Sequence, residues 1–206
     1  MEHDTDQNIE YDAEYYKNFR RRVKKLMNFA YRIEVNGLEN VDLNEVNLFA
    51  GNHLNILDSW LLVTALDENL RFMVDKKLYR YESWEKFFKR VGTFPIDPDK
   101  RDSKAVKVAI ELLKEKNSIV IFPEGKTHKY KVYVPFKKGV PGISLLGNAK
   151  LVPFGINGSY IPGARLQINF GEPIDLSEYK RNEYDEVLET KVRELQIRKR
   201  KPKRKR

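Results

Sequence analysis

The sequence predicts an α/β domain: a mostly parallel central sheet flanked by helices, with an amphipathic helical segment at its N-terminal side. Three observations carry that prediction. Short apolar runs alternate with longer stretches whose apolar residues recur every three or four positions, the pattern of strands joined by crossover helices. No internal repeat and no long linker divides the chain. Its 206 residues, 41% of them hydrophobic, suffice to bury about 70% of the surface that the unfolded chain exposes, so a single core needs no disulfide or metal to hold it.

The elements follow in order. Residues 1–10, MEHDTDQNIE, are acidic and polar and are expected to be disordered; they lack the basic and then apolar run of a secretory signal, which agrees with a cytoplasmic protein. Over residues 11–30, Tyr11, Tyr15, Phe19, Val23, Leu26, Met27 and Ala30 fall on one helical face, flanked by Lys17, Arg20, Arg21, Arg22, Lys24 and Lys25. An apolar stripe with a basic border suits a helix lying in a membrane interface, and it suits equally a helix packed on its own domain. Strands are expected at Tyr31 to Val35, Val46 to Ala50, Arg71 to Val74, Ser118 to Phe122, Leu151 to Ile156 and Arg165 to Phe170. Helices are expected at Ser59 to Leu66, Glu82 to Arg90, Ser103 to Lys116 and Val140 to Gly147. The clearest of these is Ser103 to Lys116, where Asp102 or Ser103 can cap a face of Val106, Ala109, Ile110 and Leu113.

Charge is distributed unevenly. There are 39 Lys and Arg against 30 Asp and Glu, a net +9, yet residues 198–206 (RKRKPKRKR) hold eight of the basic residues, so the body is nearly neutral. A like-charge block of this density is expected to be a disordered tail that binds an anionic partner, whether lipid, nucleic acid or acidic protein. Nucleic acid is not the expected partner, because the body lacks a basic stripe with interleaved aromatics, a helix-turn-helix or an RNP pattern.

Several chemistries are excluded by composition. With no cysteine, thiolate nucleophiles, disulfides and cysteine zinc sites are absent. The chain holds neither G-x-G-x-x-G nor G-x-S-x-G, and Gly125-Lys126-Thr127 does not end a P-loop, because the first glycine of that motif would fall on Val120. His3, His53 and His128 are the only histidines and no H-E-x-x-H occurs, so no metal site is expected. The longest apolar core run is too short to span a bilayer.

What remains is a histidine and an aspartate at the place where α/β sheets build sites. His53 follows the run Val46 to Ala50 through Gly51-Asn52, and Asp58 lies five residues further on, at the start of a helix. On an ideal helix the two would point about 140° apart, so they meet only if His53 lies in the turn. In that arrangement Asp58 holds one ring nitrogen and fixes the tautomer, leaving the other to take a proton from a hydroxyl. The bland alternative is a turn histidine beside an unrelated helix-start aspartate.

Three further blocks also end strand-like runs: Gly92-Thr93-Phe94-Pro95-Ile96-Asp97, Phe122-Pro123-Glu124-Gly125-Lys126-Thr127 and Val152-Pro153-Phe154-Gly155-Ile156. With Asn52-His53 to Asp58, and in this order, they resemble the four motifs of the lysophosphatidic acid acyltransferase family, the PlsC-like glycerolipid acyltransferases. Phe136-Lys137-Lys138-Gly139 and Phe170-Gly171-Glu172-Pro173-Ile174 extend the likeness, which covers about residues 30 to 175. The resemblance implies an acyltransferase domain over residues 31–197. It implies transfer of an acyl group from the thioester of coenzyme A or acyl carrier protein to the sn-2 hydroxyl of lysophosphatidic acid, giving phosphatidic acid, with no other cofactor. His53 would be the general base and Asp58 its orienting partner, attack would be direct, and amides around the His53 turn would hold the oxyanion. The acceptor's glycerol phosphate would lie on Glu124, Gly125, Lys126, Thr127 and His128, with Gly92, Arg101 and Lys137 nearby, and Pro153 would shape the acyl-side wall. Two departures stand out. The family usually has arginine where this chain has Thr127, so Lys126, His128 or Lys129 would meet the phosphate as point charges. It often has arginine where this chain has Pro98, leaving Arg101 as the nearest substitute. These departures keep open another lysophospholipid, or glycerol 3-phosphate, as acceptor. The resemblance places the enzyme at the inner face of a membrane, with the residue 11–30 helix and the basic tail on the anionic surface.

Overall fold

The computed structural model describes residues 11–127 and 133–196; the expectations for residues 1–10, His128, Lys129 and the 198–206 tail lie outside that range. Seven strands form one sheet: β1 (Arg32–Asn36), β2 (Asn47–Gly51), β3 (Leu70–Asp75), β4 (Phe94–Ile96), β5 (Ser118–Ile121), β6 (Lys150–Gly158) and β7 (Arg165–Phe170). Their order is β1-β7-β6-β2-β5-β3-β4. Every neighbouring pair is parallel except β6 and β7, whose short connection forces an antiparallel return.

The central strands β2 and β5 are buried at every position because both faces are covered. Alternation divides them cleanly. Phe49, Val120, Val152 and Phe154 face a cluster completed by Leu61, Leu62 and Val63 of α2 (Asp58–Ala65) and by Val23 and Met27 of α1 (Ala13–Ala30). Leu48, Ala50, Ile119 and Ile121 face the other way, onto α4 (Ser103–Lys114), α5 (Val140–Gly147) and α6 (Tyr184–Leu195). The remaining helix, α3 (Glu82–Arg90), lies between β3 and β4 in the chain.

Of the two readings of the residue 11–30 stripe, packing accounts for most of it. Asp12 caps α1 by accepting from the Tyr15 amide at 2.8 Å. Tyr16, Val23 and Met27 are buried, the Tyr16 hydroxyl accepts from the Leu70 amide at 3.1 Å, and the Phe19 ring lies edge-on to Trp60 and Phe87. Leu26 and Phe29 remain exposed beside the basic residues, Phe29 with 91% of its surface. No described helix is long and apolar enough to cross a membrane.

Two elements were not anticipated. β4 is three residues long with proline in the middle, and α6 buries only Leu188 and Val192. Its last carbonyls are capped from the sheet, since Asn169 Nδ2 donates to Leu195 O and Asn157 Nδ2 to Gln196 O, both at 2.7 Å. Gly155 permits this approach, because a Cβ there would collide with the Leu195 and Gln196 backbone. The expected helix over Ser103 to Lys116 stops at Lys114, and Lys116 turns the chain with φ +66°.

Candidate active site

The carboxyl ends of the parallel strands bring together segments far apart in the chain. β2 ends at Gly51, and Asn52 then bridges to β6 through its side-chain amide: Nδ2 donates to Ile156 O at 3.0 Å, and Oδ1 accepts from the Ile156 amide at 2.7 Å. His53 thus enters the turn from a fixed point, off the helix. Asp58 is the first residue of α2, one position earlier than expected, and is wholly buried.

His53 Nδ1 lies 2.7 Å from Asp58 Oδ2. The same oxygen accepts from the Leu54 amide at 2.6 Å and the Asn55 amide at 2.8 Å, so the turn is wound around one carboxylate oxygen. Because that oxygen only accepts, Nδ1 carries the ring proton and Nε2 is left as the basic atom. The imidazole stacks on Phe122 at a centroid distance of 4.1 Å and an angle of 13°, which fixes the plane in which Nε2 points. The arrangement leaves Nε2 able to take a proton and places Asp58 where it holds the ring's orientation.

Glu124 takes a different part from the one the resemblance implies. Its Oε2 accepts from the His53 amide at 2.5 Å, and Oε1 accepts from Arg193 Nη1 of α6 at 3.0 Å. Both oxygens of this buried carboxylate hold internal donors, so it anchors the histidine's backbone. Arg193 is held in turn by Glu189 Oε1 at 3.1 Å and Val134 O at 2.6 Å. The expectation that amides of the His53 turn hold an oxyanion meets a similar obstacle. The His53, Leu54, Asn55, Leu57 and Asp58 amides all have internal acceptors.

The basic residues gather beside this turn. Gly125, with φ +74°, turns the chain after β5, and Lys137 lies over it. Lys137 Nζ donates to Pro98 O at 2.5 Å, and Lys126 Nζ pairs with Asp99 at 2.8 Å, so the loop after β4 meets the loop after β5. The Lys126 and Lys77 ammonium groups hold the Asp99 carboxyl well below the usual carboxylate range. Thr127 is exposed at the edge of this group, and Arg101 is exposed in the β4 loop.

Two expected site residues lie elsewhere. Gly92 sits before the amino end of β4, at the end of the sheet opposite His53. Its φ of +74° closes the turn after α3, and the missing Cβ makes room for the guanidinium of buried Arg71. Pro153 is inside β6, opposite Ala50, and its ring packs on Gly171; Phe154, on the other face, is the residue that touches Phe122. Arg193 was not among the expected site residues, and neither was a second residue, Tyr160. Tyr160, just past β6, donates its hydroxyl to Asp58 Oδ1. No motif marks it, because only the sheet order brings it to α2.

Comparison with known proteins agrees with this fold. A 1-acyl-sn-glycerol-3-phosphate acyltransferase of Bacillus subtilis is 26% identical over 170 residues, covering 80% of this chain and 84% of that one. One from Streptococcus pneumoniae is 30% identical over 131 residues, covering 61% of this chain and 48% of that protein. The crystal structure of the 1-acyl-sn-glycerophosphate acyltransferase PlsC from Thermotoga maritima shares the fold, with a TM-score of 0.69 at 21% identity over 90% of this chain and 80% of that one. The family profile described as Acyltransferase matches residues 32–157, more than half of the chain and the stretch that runs from β1 through the His53 turn into β6, and so the chain belongs to the acyltransferase family.

Proposed function

We propose that the protein transfers an acyl group from the thioester of acyl-CoA or acyl carrier protein to the sn-2 hydroxyl of 1-acyl-sn-glycerol 3-phosphate, giving phosphatidic acid for phospholipid synthesis. The observation that carries the reading is the His53 and Asp58 pair, with Nε2 free of Asp58 and aimed from the carboxyl end of the sheet. The names of the relatives support the acceptor. In this reading Nε2 removes the hydroxyl proton as the oxygen attacks the thioester carbonyl. The tetrahedral intermediate collapses with cleavage of the C–S bond, and the imidazolium returns the proton to the leaving sulfur. No acyl-enzyme forms, in keeping with a cysteine-free chain. Lys126 and Lys137 meet the acceptor phosphate, which displaces Asp99 and the Pro98 carbonyl as their partners. Asp58 orients His53, while Glu124 acts through the His53 backbone.

The protein works at the cytoplasmic face of an anionic membrane without spanning it. The exposed Leu26 and Phe29, beside Arg22 and Lys25 on α1, offer an apolar and basic surface, and the basic tail adds affinity for anionic lipid. The test is acyl transfer by the purified protein from a long-chain acyl-CoA or acyl carrier protein to lysophosphatidic acid, run beside His53→Ala, with other lysophospholipids and glycerol 3-phosphate as competing acceptors. Turnover lost in His53→Ala and highest with lysophosphatidic acid supports the reading. A folded protein inactive with every pair overturns it.

A further inference from the structure

The site has a third member. We propose that Tyr160 is a positioning residue, its hydroxyl holding Asp58 Oδ1 so that Oδ2 is left to His53; the catalytic consequence rests on the acyltransfer reading above. Asp58 has no exposed surface, and its two oxygens are used unequally. Oδ2 takes the ring nitrogen and two amides of its own turn, whereas Oδ1 takes the phenol of Tyr160, 102 residues further on. A buried carboxylate with no donor on one oxygen would rotate or draw water, and either would release the histidine.

The fold places Tyr160 firmly. β6 delivers it from the strand next to β2, and Gly158, with φ +125°, lets the chain leave β6 against the Arg165 carbonyl. Beyond it, the Gly163 amide donates to Ala30 O at 2.7 Å and the Arg32 amide to Ala164 O at 2.9 Å, tying the loop to the end of α1 and the start of β1. The phenol ring meets Tyr31 edge to face at 5.6 Å, and the Tyr31 hydroxyl donates to the Tyr160 carbonyl at 3.3 Å. Burial, with the adjacent Asp58 charge second, pushes the Tyr160 hydroxyl far above the ordinary tyrosine range, so it donates throughout the working pH range. Among the described residues, the charged groups beside the pair include Glu124, whose Oε2 accepts from the His53 amide, and Arg193, whose guanidinium donates to Glu124 Oε1.

A donor on Asp58 draws negative charge away from the ring. Removing it concentrates that charge on His53 and stabilises the imidazolium, so the histidine titrates at higher pH. The test compares wild type, Tyr160→Phe and Tyr31→Phe. Each is followed by NMR of isotopically labelled histidine, in a chain with three histidines, and by kcat and KM against pH with acyl-CoA and lysophosphatidic acid. The expected result is that Tyr160→Phe moves the His53 midpoint, and the acid limb of kcat/KM with it, upward by several tenths of a pH unit. It lowers kcat about tenfold with acceptor KM within twofold. Tyr31→Phe, which keeps the ring contact and loses only the 3.3 Å bond to the Tyr160 carbonyl, moves midpoint and limb by less than half as much. An unchanged His53 midpoint in folded Tyr160→Phe, or an equal change in Tyr31→Phe, overturns the proposal. Because the NMR arm needs no substrate, a shifted midpoint in a protein inactive with every acceptor would sink the acyltransfer reading and leave the Tyr160 contact standing.

Discussion

A carboxylate cut off from water is tolerated only when its lone pairs are filled, and Asp58 fills them with donors that each constrain the catalytic turn. Asp58→Asn tests this directly. An amide offers one acceptor in place of two, so it cannot serve the Leu54 and Asn55 amides, the Tyr160 hydroxyl and His53 Nδ1–H together. The imidazole then takes the other tautomer, with its proton on Nε2, where the base is required. Acyl transfer by Asp58→Asn should fall about 10²–10⁴-fold in kcat, with the circular dichroism spectrum unchanged. At this scale the sequence was informative only where the residues are close in it. His53 and Asp58 were legible as a pair because five positions and a strand end bring them together. Tyr160 and Arg193 were not, since each reaches the site from another element. Gly92 and Pro153 read as site residues because they sit in motif-like strings, yet a positive φ beside Arg71 and a place inside β6 explain them.

At the scale of elements, α6 and the loop after β5 act as one support. Arg193 ties Glu124 to the C-terminal helix, and Glu124 ties that helix to the His53 amide. If Glu124 bound the acceptor phosphate, its loss would chiefly raise acceptor KM. The observed contacts predict otherwise: Glu124→Ala lowers kcat with little change in KM, whereas Glu124→Gln, which keeps an acceptor for the His53 amide, retains most activity. Steady-state kinetics of the two variants decide it. Arg193→Ala removes the guanidinium that donates to Oε1 of the buried Glu124 carboxylate. It should cost about 2–3 kcal/mol of stability, below the range for fully buried pairs because the guanidinium is partly exposed, and urea unfolding measures it. Long strands and periodic helices were readable because burial on both sheet faces writes itself into consecutive apolar residues. β4 escaped because it is three residues long, and α6 because its two buried residues leave a largely polar surface.

For the whole molecule, the sheet separates two ends with different electrostatics. The His53 turn lies at the carboxyl end. At the amino end Glu68, just before β3, is bonded to Ser118 at the start of β5 and has an Oε2 with no partner, so burial pushes its carboxyl up to about 7. The unfolded chain releases this proton near pH 4.5, whereas the folded chain keeps it to about pH 7, so the folded state binds more protons across that window. The contribution of Glu68 to stability is therefore lost as pH rises from about 4.5 to about 7, after which the cost of a buried charge is constant. Glu68→Gln removes the charge and keeps the shape. Its unfolding midpoint in urea should match wild type at pH 4.5 and exceed it at pH 8, by about 1–2 kcal/mol once partial exposure is allowed for. Because Glu68 lies at the opposite end of the sheet from His53, the gain should leave the pH profile of turnover in place, and measuring both on the same variant separates the titration that limits the fold from the one that drives the chemistry.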